Sequence, residues 1–179
     1  MPAPEAPLQD DGGLTPVSAG WFVVNVAAAR GVSHPTAGAY VPFDNREQPF
    51  PHYGINIHIL QPGEPNALYH EESTQEDFLV LHGECLAIIE GEQRRLRRWD
   101  FVHCPPGTRH VFVGAGDGPC AILMTGARQE GATVHYPVEP LAEPYGATVP
   151  EPTDDPREAY AAAGWSREFT PGRLPWPPS

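Results

Sequence analysis

The chain contains no lysine. All 11 of its basic residues are arginine, set against 23 Asp and Glu, for a formal charge of −12 over 179 residues. The missing amine excludes Schiff-base chemistry and the lysine of a phosphate-binding loop. The negative balance argues against nucleic acid and against anionic membranes as partners, because both need a basic surface. Cysteine is scarce as well: Cys85, Cys104 and Cys120 are an odd number without C-x2-C spacing. All three sit in apolar strand-like contexts, where a thiol packs as a small hydrophobe, and a reduced state suits the cytoplasm. No apolar run approaches the length of a membrane span. Met1 to Glu5 has neither the positive start nor the apolar run of a signal peptide, so the expected location is the cytoplasm.

What is present is a β-rich middle between proline-rich ends. Hydrophobic residues make up 40% of the chain, enough for one packed core, while most of the 23 Pro residues fall near the ends. Residues 1–20 read as a flexible lead-in. Trp21–Val26, rich in β-formers, is expected to be the first strand. A short strand at Ala39–Val41 follows. Gly54–Leu60 alternates, with its Ile residues on one face and Asn56, His58 and Leu60 on the other. Cys85–Ile89 is an apolar run expected to be buried on both faces, turned back by Gly91 into the arginine-rich Gln93–Arg98. That charge reads as edge-strand protection rather than as an anion site. Strands at Arg109–Val113 and Cys120–Met124 complete the set. So many short strands with close, regular turn signals indicate an antiparallel barrel or jelly roll over residues 21–128. Residues 129–179 form a Pro-rich arm. Within it Asp155 as N-cap, Pro156 at the first position and Gly164 as stop predict a short helix near 156–163. Trp165, Phe169 and Trp176 give this arm apolar surface to bury, and Pro175–Pro178 is expected to run extended.

Two stretches carry chemistry. In Tyr69–Gly83, His70 and Glu72 are one residue apart, which on a strand puts both on one face, and Glu76 follows after a short turn. In Trp99–Val113 a strand enters Pro105-Pro106-Gly107-Thr108, a tight reversal, and His110 lies just beyond it, sharing a face with Phe112.

These stretches resemble the paired motifs of the cupin superfamily. The first reads His70-x-Glu72-x3-Glu76-x6-Gly83, and the second Trp99-x5-Pro105-x-Gly107-x2-His110-x3-Gly114. The departures are Glu72 in place of a second His, Trp99 in place of a Gly, and Gly114 in place of an Asn. The likeness covers about residues 55 to 125. It implies an all-β, cupin-type jelly-roll barrel with extended N- and C-terminal arms and a short C-terminal helix. It also implies that the polar positions of both motifs converge inside the barrel, where His70, Glu72, Glu76 and His110 would hold one divalent ion: Zn²⁺, Mn²⁺, Fe²⁺ or Ni²⁺.

Charge supports a cation there. Two ionised carboxylates compensate an M²⁺ ion between neutral imidazoles, whereas without one the carboxylates repel and one holds a proton. A hydrogen-bonded network without metal is the alternative arrangement. Glu72 is open to two roles, direct ligand or acid–base group. His58 and His103 are candidates to line the pocket, with Phe78 and Phe112 as its apolar wall. The resulting expectation is a homodimeric small-molecule enzyme, either a dioxygenase or a metal-assisted isomerase, lyase or decarboxylase. The competing one is a cupin that binds or stores a small organic ligand without turnover.

Overall fold

Strand alternation, read along the sequence, becomes two facing sheets in a computed structural model that describes residues 2–44 and 49–174. The strands of the first half are β1 (Leu8–Asp10), β2 (Leu14–Pro16), β3 (Gly31–Ser33), β4 (Ala39–Pro42), β5 (Tyr53–Leu60), β6 (Glu71–Glu72) and β7 (Glu76–His82). Then come β8 (Glu84–Ile89), β9 (Glu92–Arg97), β10 (Phe101–Cys104), β11 (His110–Ala115), β12 (Cys120–Ala127) and β13 (Val134–His135). Helix α1 (Pro156–Ala162) and β14 (Thr170–Gly172) close the described chain. The larger sheet has the order β10-β7-β12-β5-β4-β3-β14 and the smaller one β11-β8-β9, with small two-stranded sheets β1-β2 and β13-β6 beside them. Neighbours in the two main sheets pair antiparallel. This is the all-β jelly-roll barrel expected of a cupin.

The core forms where the inner faces meet. Leu60, Phe78, Val80, Ile122 and Met124 of the larger sheet pack with Cys85, Ala87 and Phe112 of the smaller one. Complete burial of a side chain such as Phe112 or Ile122 stabilises the fold by about 1.5–3 kcal/mol. Cys85, Cys104 and Cys120 are free and buried in this core. Strand β9 is the edge of the smaller sheet, and two of its three arginines make surface pairs: Arg94 with Glu92, and Arg95 with Glu84.

The C-terminal region wraps the barrel. Ala142 and Ala147 cover Ile88 and Val111 on the outer face of the smaller sheet, which explains why β11 is buried on both sides. Helix α1 begins as its sequence predicts, with the Asp155 carboxylate accepting from the Arg157 amide at 2.7 Å. Ala159 and Trp165 then pack against Leu68 and Tyr136. His34 ties this arm to the β3–β4 turn. Its Nε2–H donates to the Ser166 carbonyl at 2.7 Å, and its Nδ1 accepts from the amides of Thr36 and Ala37. Beyond it, β14 pairs with β3 and covers one edge of the larger sheet.

The expected first strand is absent. Trp21 makes only an isolated bridge to Glu5, Val23 is 79% exposed, and Val26 opens a 3-10 turn capped by the Asn25 side chain. β-Propensity at Trp21–Val26 is not enough by itself, and beyond the Trp21–Glu5 bridge no described strand pairs with the segment. The segment read as the lead-in instead carries the β1–β2 hairpin. Trp165 is buried and Phe169 half exposed, while Trp176 and the Pro175–Pro178 stretch lie outside the described residues.

Candidate metal centre

One pairing brings the two motifs together. His70 and His110 form an isolated antiparallel bridge, with the His110 amide donating to the His70 carbonyl at 2.8 Å and the reverse bond at 3.2 Å. Residues directly opposite in such a pair share a face, and the two rings lie 4.9 Å apart. The Pro105–Thr108 turn sets this register: Gly107, at a φ of 79° that suits glycine, donates its amide to the Glu72 carbonyl at 2.7 Å. Glu76 opens β7 and points inward, with its carboxylate 3.4 Å from His110 Nε2. Ligand atoms of His70, Glu76 and His110 all lie within 4.8 Å of one another.

The tautomers are set by the backbone. His70 Nδ1 lies 2.7 Å from the Leu68 carbonyl and His110 Nδ1 2.9 Å from the Thr108 carbonyl. A carbonyl only accepts, so both Nδ1 atoms carry the hydrogen and both Nε2 atoms present lone pairs. Burial lowers the pKa of both imidazoles; His110, also facing His70, falls to about 3. Burial, reinforced by the nearby Glu72, pushes the Glu76 carboxyl up to about 8. His110 Nε2 is buried without a hydrogen-bond partner. Two imidazole lone pairs and a carboxyl that burial keeps protonated in the absence of a counter-charge therefore converge, and a divalent cation in place of the Glu76 proton fits this arrangement.

The cluster lines a cavity of about 320 Å³, together with Asn56, His58, Asn66, Glu72 and Phe78. Glu72 stands apart from the three-residue cluster, with its carboxylate accepting from the Thr74 hydroxyl at 3.3 Å. Phe78 forms the wall at 5.0 Å from the His110 ring, and Phe112 packs behind it at 4.4 Å with its ring tilted by 41°, fully buried rather than facing the cavity. His103 is not brought to the site. It pairs in register with Asp77, the outward residue between Glu76 and Phe78, and its Nδ1 lies 2.7 Å from the Asp77 carboxylate on the surface. The period of two turns its neighbour Cys104 inward instead.

Several lining residues were not singled out from sequence. Asn56 shares the face of His58 and could have been found by alternation. Its Oδ1, like His58 Nδ1, is buried without a partner. Asn66 had no such signal: a loop residue, it accepts from the Phe112 amide at 2.8 Å and so fixes the strand beside His110. Tyr136, buried behind the His70 ring at 5.9 Å rather than lining the cavity, comes from the C-terminal region, which no local pattern connects to the barrel.

Comparison with known proteins agrees with this fold. Residues 56–126 match the family described as the cupin domain. Among solved structures, a cupin-superfamily sugar phosphate isomerase from Silicibacter pomeroyi is 21% identical over 59% of this chain and 74% of its own, with a TM-score of 0.51. The polyketide cyclase RemF from Streptomyces resistomycificus is 13% identical over 63% of this chain and 83% of its own, with a TM-score of 0.53. A third structure, from Acidithiobacillus ferrooxidans, is 24% identical over 55% of this chain, at a TM-score of 0.49. This chain spans 65% of that protein, just under two thirds. No curated protein matches the chain. At such identities the likeness is one of fold. With both motifs in place and the barrel formed, the chain contains a cupin domain.

Proposed function

We propose that this protein is a metal-dependent enzyme acting on a small organic molecule in the barrel cavity, by isomerisation, lysis, decarboxylation or dioxygenation. The observation that carries the reading is the convergence of His70 Nε2, His110 Nε2 and the Glu76 carboxylate as lone-pair donors, with His110 Nε2 buried and unpaired. The bound ion, one of Zn²⁺, Mn²⁺, Fe²⁺ or Ni²⁺, would supply Lewis acidity and a template for the substrate. The chain's own residues do the rest. His70, Glu76 and His110 would hold the ion: the backbone-fixed tautomers of the two histidines already present Nε2, and Glu76 would give up its proton to the solvent as the cation enters. Phe78 keeps that side of the cavity dry. Glu72 lines the cavity but stands outside the cluster, which favours an acid–base role over a ligand role.

Glu72 supplies the test. Glu72→Gln is expected to keep most of the metal while losing turnover in a screen of small organic acids with each of the four ions, whereas His70→Ala loses both. If Glu72→Gln empties the site as fully as His70→Ala, the acid–base role fails. Tight ligand binding with no turnover under any of the ions would replace catalysis by storage.

A further inference from the structure

A second cavity, of about 330 Å³, shares a wall with the metal cavity, since His58 and Asn66 line both. Its other sides come from outside the matched residues 56–126. Tyr40 enters from β4, and Tyr160, Trp165 and Phe169 from the C-terminal arm. The arm, not the cupin domain by itself, makes this chamber.

Its walls are aromatic and held in place. Tyr40 stacks on His58 with ring centroids 5.1 Å apart and planes 14° from parallel. His34, fixed at both ring nitrogens, packs 5.6 Å from Trp165 and 5.0 Å from Phe169. Such flat faces suit a planar apolar body, and the volume lies at the small end of ligand sites. Two exposed arginines, Arg157 and Arg167, also line the chamber. Of the other described arginines, six are ion-paired with Asp or Glu, and Arg97 and Arg98 are exposed at the end of β9, outside both cavities. Arg157 and Arg167 have no carboxylate partner among the described residues. In a chain of charge −12, two unpaired guanidinium groups at one cavity mark a place for an anion. At the shared wall, His58 Nδ1 is buried with its hydrogen-bonding capacity unused.

We infer that this chamber binds the ring-bearing apolar body of an organic anion. Arg157 and Arg167 hold the anionic group, and the remainder of the molecule is directed past His58 and Asn66 to the metal cluster. Only that last direction rests on the enzyme reading; the chamber's affinity does not. A sugar phosphate would satisfy the arginines but set a hydroxylated body against Tyr160 and Trp165, where its hydroxyl groups lose water without replacement.

Calorimetric titration of the full chain, both chelator-treated and metal-loaded, tests this with three probes: 2-naphthoate, the neutral 2-naphthalenemethanol and glucose 6-phosphate. We expect saturable binding of one naphthoate per chain, the alcohol about tenfold weaker, and no binding of the sugar phosphate. The double variant Arg157→Gln/Arg167→Gln is expected to bring naphthoate down to the level of the alcohol while leaving the alcohol unchanged, which a merely misfolded protein would not do. No saturable naphthoate binding in either metal state, or equal naphthoate affinity in the double variant and wild type, overturns the inference. A protein that takes up metal but ignores naphthoate overturns it and leaves the metal centre standing. One that binds naphthoate yet takes up no metal supports the chamber and counts against the metal centre.

Discussion

The three motif departures each have a local consequence. Trp99 stands where the resembling motif has Gly, and it sits at a φ of 75°, a region that costs a residue with a Cβ about 1–2 kcal/mol. The side chain is 63% exposed, with Arg98 lying 4.9 Å over its ring, so burial offsets little of that cost. Trp99→Gly is therefore expected to leave stability unchanged or raise it by up to ~1 kcal/mol in urea unfolding; a clear loss would show that the Trp99 contacts outweigh the strain. Gly114 replaces Asn because the Gln61 loop crosses it, and a Cβ there would lie 2.1 Å from the Gln61 carbonyl oxygen. Glu72 replaces His and lines the cavity without joining the cluster. That His70, Glu76 and His110 lie together was implied by the resemblance to the cupin motifs, which also counted Glu72 with them. The reasons for Trp99 and Gly114 were not, since a backbone angle and a crossing loop leave no mark in the motif itself.

At the scale of the element, strands with a partner close in sequence were easy to read. The alternation of Gly54–Leu60 lies within β5, and the apolar run Cys85–Ile89 within β8. Trp21–Val26 misled because propensity speaks for a strand only when an edge is there to receive it. β1, β2, β3 and β14 escaped notice because each is three residues long and two of them pair across most of the chain. The larger sheet ends on β14 at one side and on β10 at the other. β10 is the barer edge: Phe101 is 62% exposed beside Trp99, and such an apolar edge invites pairing with another chain. We expect a homodimer, with a light-scattering mass about twice 19.5 kDa, and a shift toward monomer in Phe101→Lys. A mass of 19.5 kDa across a wide concentration range would rule the dimer out.

For the whole molecule, the acidic balance and the barrel were evident in composition and turn spacing, but the wrapping of the C-terminal region was not. The His34–Ser166 bond and the cover over Val111 depend on contacts between distant segments that no periodicity announces. Among the described residues no helix is long and apolar enough to cross a membrane. Burial also links the fold to pH. His58 is held down to about 4 by its enclosure, below the ordinary 6.5 it regains on unfolding. The unfolded chain thus takes up this proton first as pH falls. The contribution of His58 is fully present above about 6.5, declines as pH drops from there toward 4, and is level below. The full span is on the order of 3 kcal/mol. Unfolding free energies at pH 7.5 and 4.5 should therefore differ less in His58→Gln than in wild type; an identical pH dependence would contradict this account of the buried ring.

Metal content bears most directly on the central claim. Protein purified without chelator and without a nickel column, and then analysed by elemental mass spectrometry, should carry close to one divalent transition-metal ion per chain. His70→Ala and His110→Ala should carry almost none while remaining folded by circular dichroism. Wild-type protein that stays metal-free after incubation with Mn²⁺, Fe²⁺, Ni²⁺ and Zn²⁺ in turn, or alanine variants that keep the full complement, would contradict a metal centre at His70, Glu76 and His110.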